Sequence, residues 1–271
     1  MNARSLGRLL FGFGMVGLGI ISLICNSYSL QWEPVGTLLP NLGRLSGGIL
    51  LLAGLGVLIG RFSMLASAIL TVFLGLWVFA LQVPPDITAS HGAKTWQDLS
   101  GIWLGFAEDL ALMMGAWTLM ALSDRDDNDA STSWLTDGKA FRVTQTLFGV
   151  ACLIFGASHF AYADFTSGMI PSWIPERLPL AYITGAGHLL TGIALITGVF
   201  ARLAATLEAI MMSLFVLLVH VPMVAGNPAA DALQLDWTML CVALSLSGAA
   251  WAIAGGLSGK PWGLVREKAD A

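Results

Sequence analysis

An all-α membrane protein of eight transmembrane helices, laid out as two parallel four-helix-bundle repeats, is the fold that this 271-residue sequence predicts. Three observations carry the expectation: a scarcity of charge, eight long apolar runs, and a residue pattern that returns at offsets of 134 to 138 positions. The chain is 56% apolar and 11% charged, with a mean hydropathy of +0.76. A water-soluble domain carries about 25% charged residues, because its surface must face water. Lipid is therefore the expected solvent, and the net charge of −4 leaves no footprint for nucleic acid.

A bilayer core needs about 20 apolar residues per helix. Eight runs meet that need, at roughly 7–26, 43–60, 62–82, 101–122, 143–161, 179–199, 202–221 and 237–256. Backbone groups in lipid must bond within their own segment, so the runs are helical. They are continuous rather than alternating, which excludes a closed β-barrel. The first run follows Arg4 and Arg8 and imitates a secretory signal, but no small-residue cleavage site follows Cys25, and the run has a counterpart in the second half. Cys25, Cys152 and Cys241 lie in apolar runs, outside any C-x-x-C pair, and read as small apolar fillers.

The order of elements gives residues 1–122 as a first repeat, 123–142 as an acidic linker, 143–257 as a second repeat and 258–271 as a tail. The linker holds Asp124, Asp126, Asp127 and Asp129 but lacks the glycine and closing glutamate of a calcium loop. With the N-terminus inside, Arg4, Arg8, Arg61, Arg125, Lys139, Arg142, Arg202, Lys260, Arg266 and Lys268 fall on one side, against Arg44, Lys94 and Arg177 on the other. That bias predicts both termini in the cytoplasm; the expected membrane is the bacterial inner (cytoplasmic) one. Trp32, Trp96, Trp103, Trp173 and Trp237 then belong to the outer interface, and Trp117, Trp134, Trp251 and Trp262 to the inner one.

The repeat is read residue by residue. Leu10-Phe11-Gly12 returns as Leu147-Phe148-Gly149, and Gly19 as Gly156, at an offset of 137. Gly47, Gly54 and Gly60 return as Gly185, Gly192 and Gly198 at 138, as does Val83-Pro84 in Val221-Pro222. Trp103 and Trp117 return as Trp237 and Trp251 at 134. Each half has an even number of runs, so the two share one orientation, about an axis along the membrane normal. Glycines seven apart lie on one helix face and let backbones approach closely in lipid.

The second-half run Gly185-Ala-Gly-His-Leu-Leu-Thr-Gly-Ile-Ala-Leu-Ile-Thr-Gly198, followed by Phe200-Ala-Arg-Leu-Ala-Ala205 and Leu218-Val-His-Val-Pro222, resembles the DoxX-like family of four-helix membrane proteins. Phe148-Gly149 and Ile170-Pro-Ser-Trp-Ile-Pro175 fit the same resemblance, which covers most of 143–256 and reaches the first half through the repeat. It implies a membrane redox setting, since family members include a subunit of a thiosulfate:quinone oxidoreductase and a partner in an oxidative-stress complex. It transfers no catalytic motif, and a tandem duplication departs from the usual single unit.

Ionisable groups in lipid are costly, so each is a candidate for function. His159, His188, His220 and Glu208 stand out in the second half. The histidines lie in three neighbouring runs, toward the outer side, and their first-half counterparts are Ser22, Leu50 and Gln82, so the shared scaffold does not demand them. Neutral imidazole can ligate haem iron or a transition metal, or hydrogen-bond a quinone carbonyl. The plainer reading gives each histidine a separate structural partner, and Glu208 a bond to a neighbouring helix near Arg202. In the first half Arg44, Glu108 and Asp109 can form an ion pair that clamps the bundle, or a site that binds an anionic headgroup or moves protons. Phe160, Tyr162, Asp164, Phe165 and Trp173 form an aromatic cluster, with Pro171–Pro175 as a fixed turn or a short cap over the histidines.

No Walker loop, G-x-G-x-x-G, G-x-S-x-G, H-E-x-x-H or C-x-x-C-H occurs, so no enzyme class or metal centre is assigned by motif. The leading expectation is a DoxX-like subunit in electron transfer or redox homeostasis, with a quinone or another small hydrophobic ligand at His159, His188 and His220, Glu208 as relay, and a redox partner protein. The alternatives are a transporter with its site at the repeat interface, or a membrane anchor that docks a soluble partner through 123–142. Against the transporter, the sequence shows no Gly/Pro interruption in corresponding helices of both halves.

Overall fold

A computed structural model describes residues 1–28, 42–127, 137–226 and 230–263, and among these residues every regular element is a helix. In chain order they are α1 (Ala3–Cys25), α2 (Gly43–Ile59), α3 (Ser63–Leu76), α4 (Val83–Ser90), α5 (Trp96–Asp127), α6 (Gly138–Ala161), α7 (Ala163–Met169), α8 (Arg177–Thr197), α9 (Ala201–Phe215), α10 (Val221–Gly226) and α11 (Ala230–Gly256). Seven stretches are long and apolar enough to cross a membrane: α1, Ser63–Ser90, Trp96–Ser123, α6, α8, Ala201–Gly226 and Gln234–Gly256. They mark a multi-pass membrane protein. The eighth expected span, α2, has 17 residues, about 25 Å at 1.5 Å per residue, against a hydrocarbon core of about 30 Å.

Local chemistry sets the helix ends. The Asn2 side chain accepts from Ser5 N–H at 2.8 Å to start α1, and Asn26 ends it in the left-handed region at φ 48°. Asp137 caps α6 through the Lys139 and Ala140 amides. Gly60 and Gly198, at φ 76° and 84°, close α2 and α8. Arginines satisfy the carbonyls left over at those two ends. Arg8 donates to Val57 and Leu58 at 3.2 and 3.1 Å, and Arg142 to Leu195 and Ile196 at 3.0 and 2.5 Å.

The helices run antiparallel from neighbour to neighbour and close a ring: α1 on α2, α2 on α3, α3 on α5, α5 on α6, α6 on α8, α8 on α9, α9 on α11, and α11 back on α1. A further contact, α5 on α11, pinches the ring into two lobes. Glycine makes the contacts close. A Cβ on Gly19 would sit 2.7 Å from the Gly47 carbonyl oxygen, and one on Gly156 would sit 2.8 Å from that of Gly185. Gly12 meets the Gly54 carbonyl in the same way, and Gly149 the Gly192 carbonyl. On the α1–α11 seam, a Cβ on Gly248 would lie 2.3 Å from the Phe11 nitrogen. The α5–α6 seam is held instead by hydroxyl pairs, Ser100–Ser158 at 2.8 Å and Thr118–Thr144 at 3.0 Å. Apolar side chains such as Leu52, Leu65, Val72, Ile183, Leu190 and Leu217 point away from the ring, each more than half exposed, as a lipid-facing surface requires.

Helix α5 continues to Asp127 and α6 starts at Gly138, about five residues past the ends expected at 122 and 143; of the linker, residues 128–136 lie outside the described residues, as does the tail from 264. Two expectations need correction. Cys25 is exposed at the end of α1, while Cys152 and Cys241 are buried as expected. The third and seventh runs are interrupted in corresponding positions after all. Each passes into a π-helical segment, Trp77–Gln82 and Val216–His220, ahead of Val83-Pro84 and Val221-Pro222. The proline nitrogen cannot donate to the preceding turn, so the ladder shifts: Val83 N–H bonds Val78 and Val221 N–H bonds Val216, each five residues back.

Candidate functional site

The candidate site lies in the second lobe, where α6, α8 and α9 meet. Gly156 and Gly185 let α6 and α8 approach, and a Cβ on Gly185 would lie 2.8 Å from the His159 Cβ. That contact sets His159, in the last turn of α6, against His188 in the middle of α8, with ring centroids 4.8 Å apart. From the other side Glu208 of α9 reaches His188, and its Oε1 lies 2.7 Å from Nδ1. His188 and Glu208 are each 1% exposed. His159 Nδ1 bonds the Phe155 carbonyl at 2.9 Å, which fixes its ring. Phe215 stacks on His159 at 6.1 Å and meets His188 edge-on, and Phe155 meets His188 edge-on.

An ion-pair-like bond buried in an apolar bundle is expensive unless both partners are satisfied. Here the satisfaction is incomplete. Glu208 Oε2 is buried without a hydrogen-bond partner among the described residues. The scaffold does not need the pair: at the 138 offset its positions hold Leu50 and Leu70 in the first lobe, both fully buried. Two polar groups thus stand where this architecture also works with leucine, and one of their atoms still lacks a partner.

Glu208 also forms part of the wall of a groove of about 380 Å³ between α8 and α9. Its walls are otherwise apolar but for two threonines, Thr191 and Thr197. Leu190, Ile193, Leu203 and Leu207 stand on its rim and are exposed. Farther along α9, Ser213 bonds Ser247 at 2.8 Å and receives the Trp251 indole N–H at 3.0 Å, tying α9 to α11.

The structure brings together His159, His188 and Glu208 of the residues expected from sequence. It does not bring His220 to them. His220 ends the π segment 12 residues beyond Glu208, on the order of 18 Å along the helix, and its Nδ1 is buried without a partner. Among the described residues, no three His, Cys, Asp or Glu side chains are grouped to hold a metal ion. A haem has no slot between His159 and His188 either, since their rings are 4.8 Å apart and flanked by Phe155 and Phe215. Arg202 turns away from Glu208: it donates to the Lys260 carbonyl at 2.9 Å and stacks 3.9 Å over Trp262.

The first-lobe clamp does not form as expected. Arg44 is exposed at the start of α2, and no ion pair joins it to Glu108 or Asp109, because α2 packs on α1 and α3 rather than on α5. Asp109 is buried, and Asp86, which the sequence reading passed over, is buried as well with Oδ2 unpartnered. The aromatic cluster is spread over the surface rather than gathered at one point. Tyr162 donates to the Gln97 carbonyl and Phe160 packs on Tyr182, while Asp164, Phe165 and Trp173 are exposed, so Pro171–Pro175 brings no aromatic lid down onto the histidines.

Comparison with known proteins adds one finding. The model of a domain of unknown function, DUF8561, matches residues 148–254. The match takes in α8 and α9 whole and includes His159, His188, Glu208 and His220. No curated protein and no solved structure matches the chain.

Proposed function

We propose that the chain is a DoxX-like protein of the bacterial cytoplasmic membrane, with eight spans in two parallel four-helix repeats and both termini inside. Its second repeat holds a quinone or another small hydrophobic ligand in electron transfer or redox homeostasis. The observation that carries this reading is the buried His188–Glu208 pair, with His159 beside it and Glu208 Oε2 unpartnered, at positions where the first repeat has leucine. Imidazole donates to a quinone carbonyl, and a carboxyl group hands on the proton that quinone reduction consumes; the electrons come from a partner redox protein. Support for the duplication comes from matched features: the Gly12–Gly54 and Gly149–Gly192 contacts, the Gly19–Gly47 and Gly156–Gly185 contacts, and the two π segments.

The test is extraction. Protein purified in mild detergent is expected to carry a near-stoichiometric quinone or related compound, identified by mass spectrometry of the solvent extract. The His188→Ala and Glu208→Gln proteins are expected to lose it. Folded wild-type protein that yields no such compound and binds no added quinone would remove the proposal. A carrier reading draws on the paired π segments, but the α5–α11 crossing between the lobes is filled, with a Cβ on Gly115 only 2.4 Å from the Ala249 Cβ.

A further inference from the structure

We infer that the ligand of the second lobe is a neutral-headed amphiphile with a long apolar chain, which reaches its site sideways from the lipid through the groove between α8 and α9. This rests on reading His188–Glu208 as a ligand site, and adds the class of ligand and its route. The groove runs along α8 from Gly187 to Thr197 and along α9 from Met211 to Leu203, about 15 Å by helix rise. Glu208, Gly187 and Met211 form one end, near the middle of the membrane-facing helices; Val199 and Phe200 form the other, toward the face that holds the N-terminus. Its 380 Å³ lies near the lower end of small-molecule sites, about 300–1,000 Å³, so it takes a head and the first part of a chain. The rest of the chain lies along exposed Leu190, Ile193, Leu203 and Leu207.

The matching positions of the first lobe are tightly packed. At the 138 offset Ala194 and Ala204 of the groove correspond to Gly56 and Ala66, and a Cβ on Gly56 would come within 2.7 Å of the Ala66 Cβ. The glycine lets α2 come that close to α3, a contact that an alanine such as Ala194 would not allow. The end wall changes in the same sense: Ile49 becomes Gly187, which opens room, while Leu50 and Leu70 become His188 and Glu208. The groove and the polar pair thus occur together in the second lobe, where the first has Gly56, Leu50 and Leu70 at the matching positions.

The orientation and head chemistry follow from where the polar groups are. The one charged side chain in the wall is Glu208, at the inner end, with an oxygen still unpartnered, so the polar head lies there and the chain runs outward. The guanidinium groups near the opposite end are engaged: Arg142 bonds the Leu195 and Ile196 carbonyls, and Arg202 bonds the Lys260 carbonyl and stacks on Trp262. A phosphate would find a carboxylate at one end and occupied arginines at the other. A carbonyl or hydroxyl head fits instead, as in an isoprenoid quinone or alcohol.

The experiment measures binding of decylubiquinone and of its chainless parent benzoquinone to the full chain in phospholipid nanodiscs. Wild type is expected to bind the decyl compound at least tenfold more tightly. Ala204→Trp, with Ala194→Leu as a second groove-filling variant should the first not fold, is expected to abolish that tenfold preference. Glu208→Gln is expected to weaken both compounds at least tenfold. Equal binding of both compounds by wild type, or a preference that survives both groove variants, overturns the route while the His188–Glu208 site stands. Loss of the decyl compound in Ala204→Trp with no effect of Glu208→Gln overturns the site and, with it, the head-inward orientation. Binding of neither compound by folded wild type overturns both.

Discussion

The His188–Glu208 pair can be separated into its structural and its functional cost, because the first lobe already contains the apolar version. Consider Glu208→Leu, His188→Leu and the double variant. The single variants each leave one polar group buried without its 2.7 Å partner. An abandoned buried partner costs about 1–3 kcal/mol for a neutral group and about 3–5 kcal/mol where a charge is stranded. The double variant recreates the Leu50–Leu70 arrangement, and replacing a buried polar pair by apolar groups of similar size is neutral or stabilising by about 1–4 kcal/mol. With about 1–3 kcal/mol lost in each single variant, the cycle should give a coupling energy of at least about 2–6 kcal/mol, with the double variant at least as stable as wild type. At about 2–4 °C per kcal/mol, each single variant should lose about 5–10 °C in thermal unfolding in a fixed detergent. Ligand extracted from the double variant should nonetheless fall to background. Additive single effects, with a coupling below about 0.5 kcal/mol, would refute the reasoning, because the pair would then be neither mutually satisfying nor isolated from water.

Other outcomes follow from the same geometry. Gly248→Leu should prevent assembly, read as loss of the monodisperse peak in size-exclusion chromatography, whereas Gly48→Ala, with open space at its Cβ, should leave it unchanged. Arg142→Ala should lower stability by about 1–3 kcal/mol by removing the donor to the Ile196 carbonyl and leaving the Leu195 carbonyl to Gln145 alone, measured by the same unfolding assay. His220→Phe should leave ligand content unaltered, since His220 stands apart from the pair; a lost ligand would place it in the site. A membrane-impermeant maleimide should label Cys25 in whole cells and spare Cys152 and Cys241, if the end of α1 faces outward as the basic residues predict.

The sequence made the helices legible because lipid leaves a chain few options: apolar runs of sufficient length must be helical. It also made His188 and Glu208 conspicuous, as ionisable groups where the other half has leucine. What it could not convey was which helices touch. Arg44 looked positioned for Asp109 only on the assumption that each half closes on itself, and the ring order puts α2 elsewhere. His220 falls on the outer side with the other two histidines by residue count, but it lies 12 residues beyond Glu208 along the helix, and His188 makes its bond at Glu208. Pro84 and Pro222 were visible as a matched pair and were taken for helix ends; their effect on the hydrogen-bond ladder depends on the chain continuing as helix beyond them. The groove had a signal in the substitution of Gly56 by Ala194 and Ile49 by Gly187, legible once the helices were known to be neighbours.

The contact between α1 and α11 sets an order on biogenesis. Helix α1 keeps its Gly7–Gly14 face bare until α11 has been made, since its partners there are Ser245, Gly248 and Ala252. Residues 1–127 released alone would expose that face to lipid or to another copy of themselves. Insertion can proceed helix by helix, but this seam has to wait for α11, and a truncation anywhere before α11 leaves α1 without its lock.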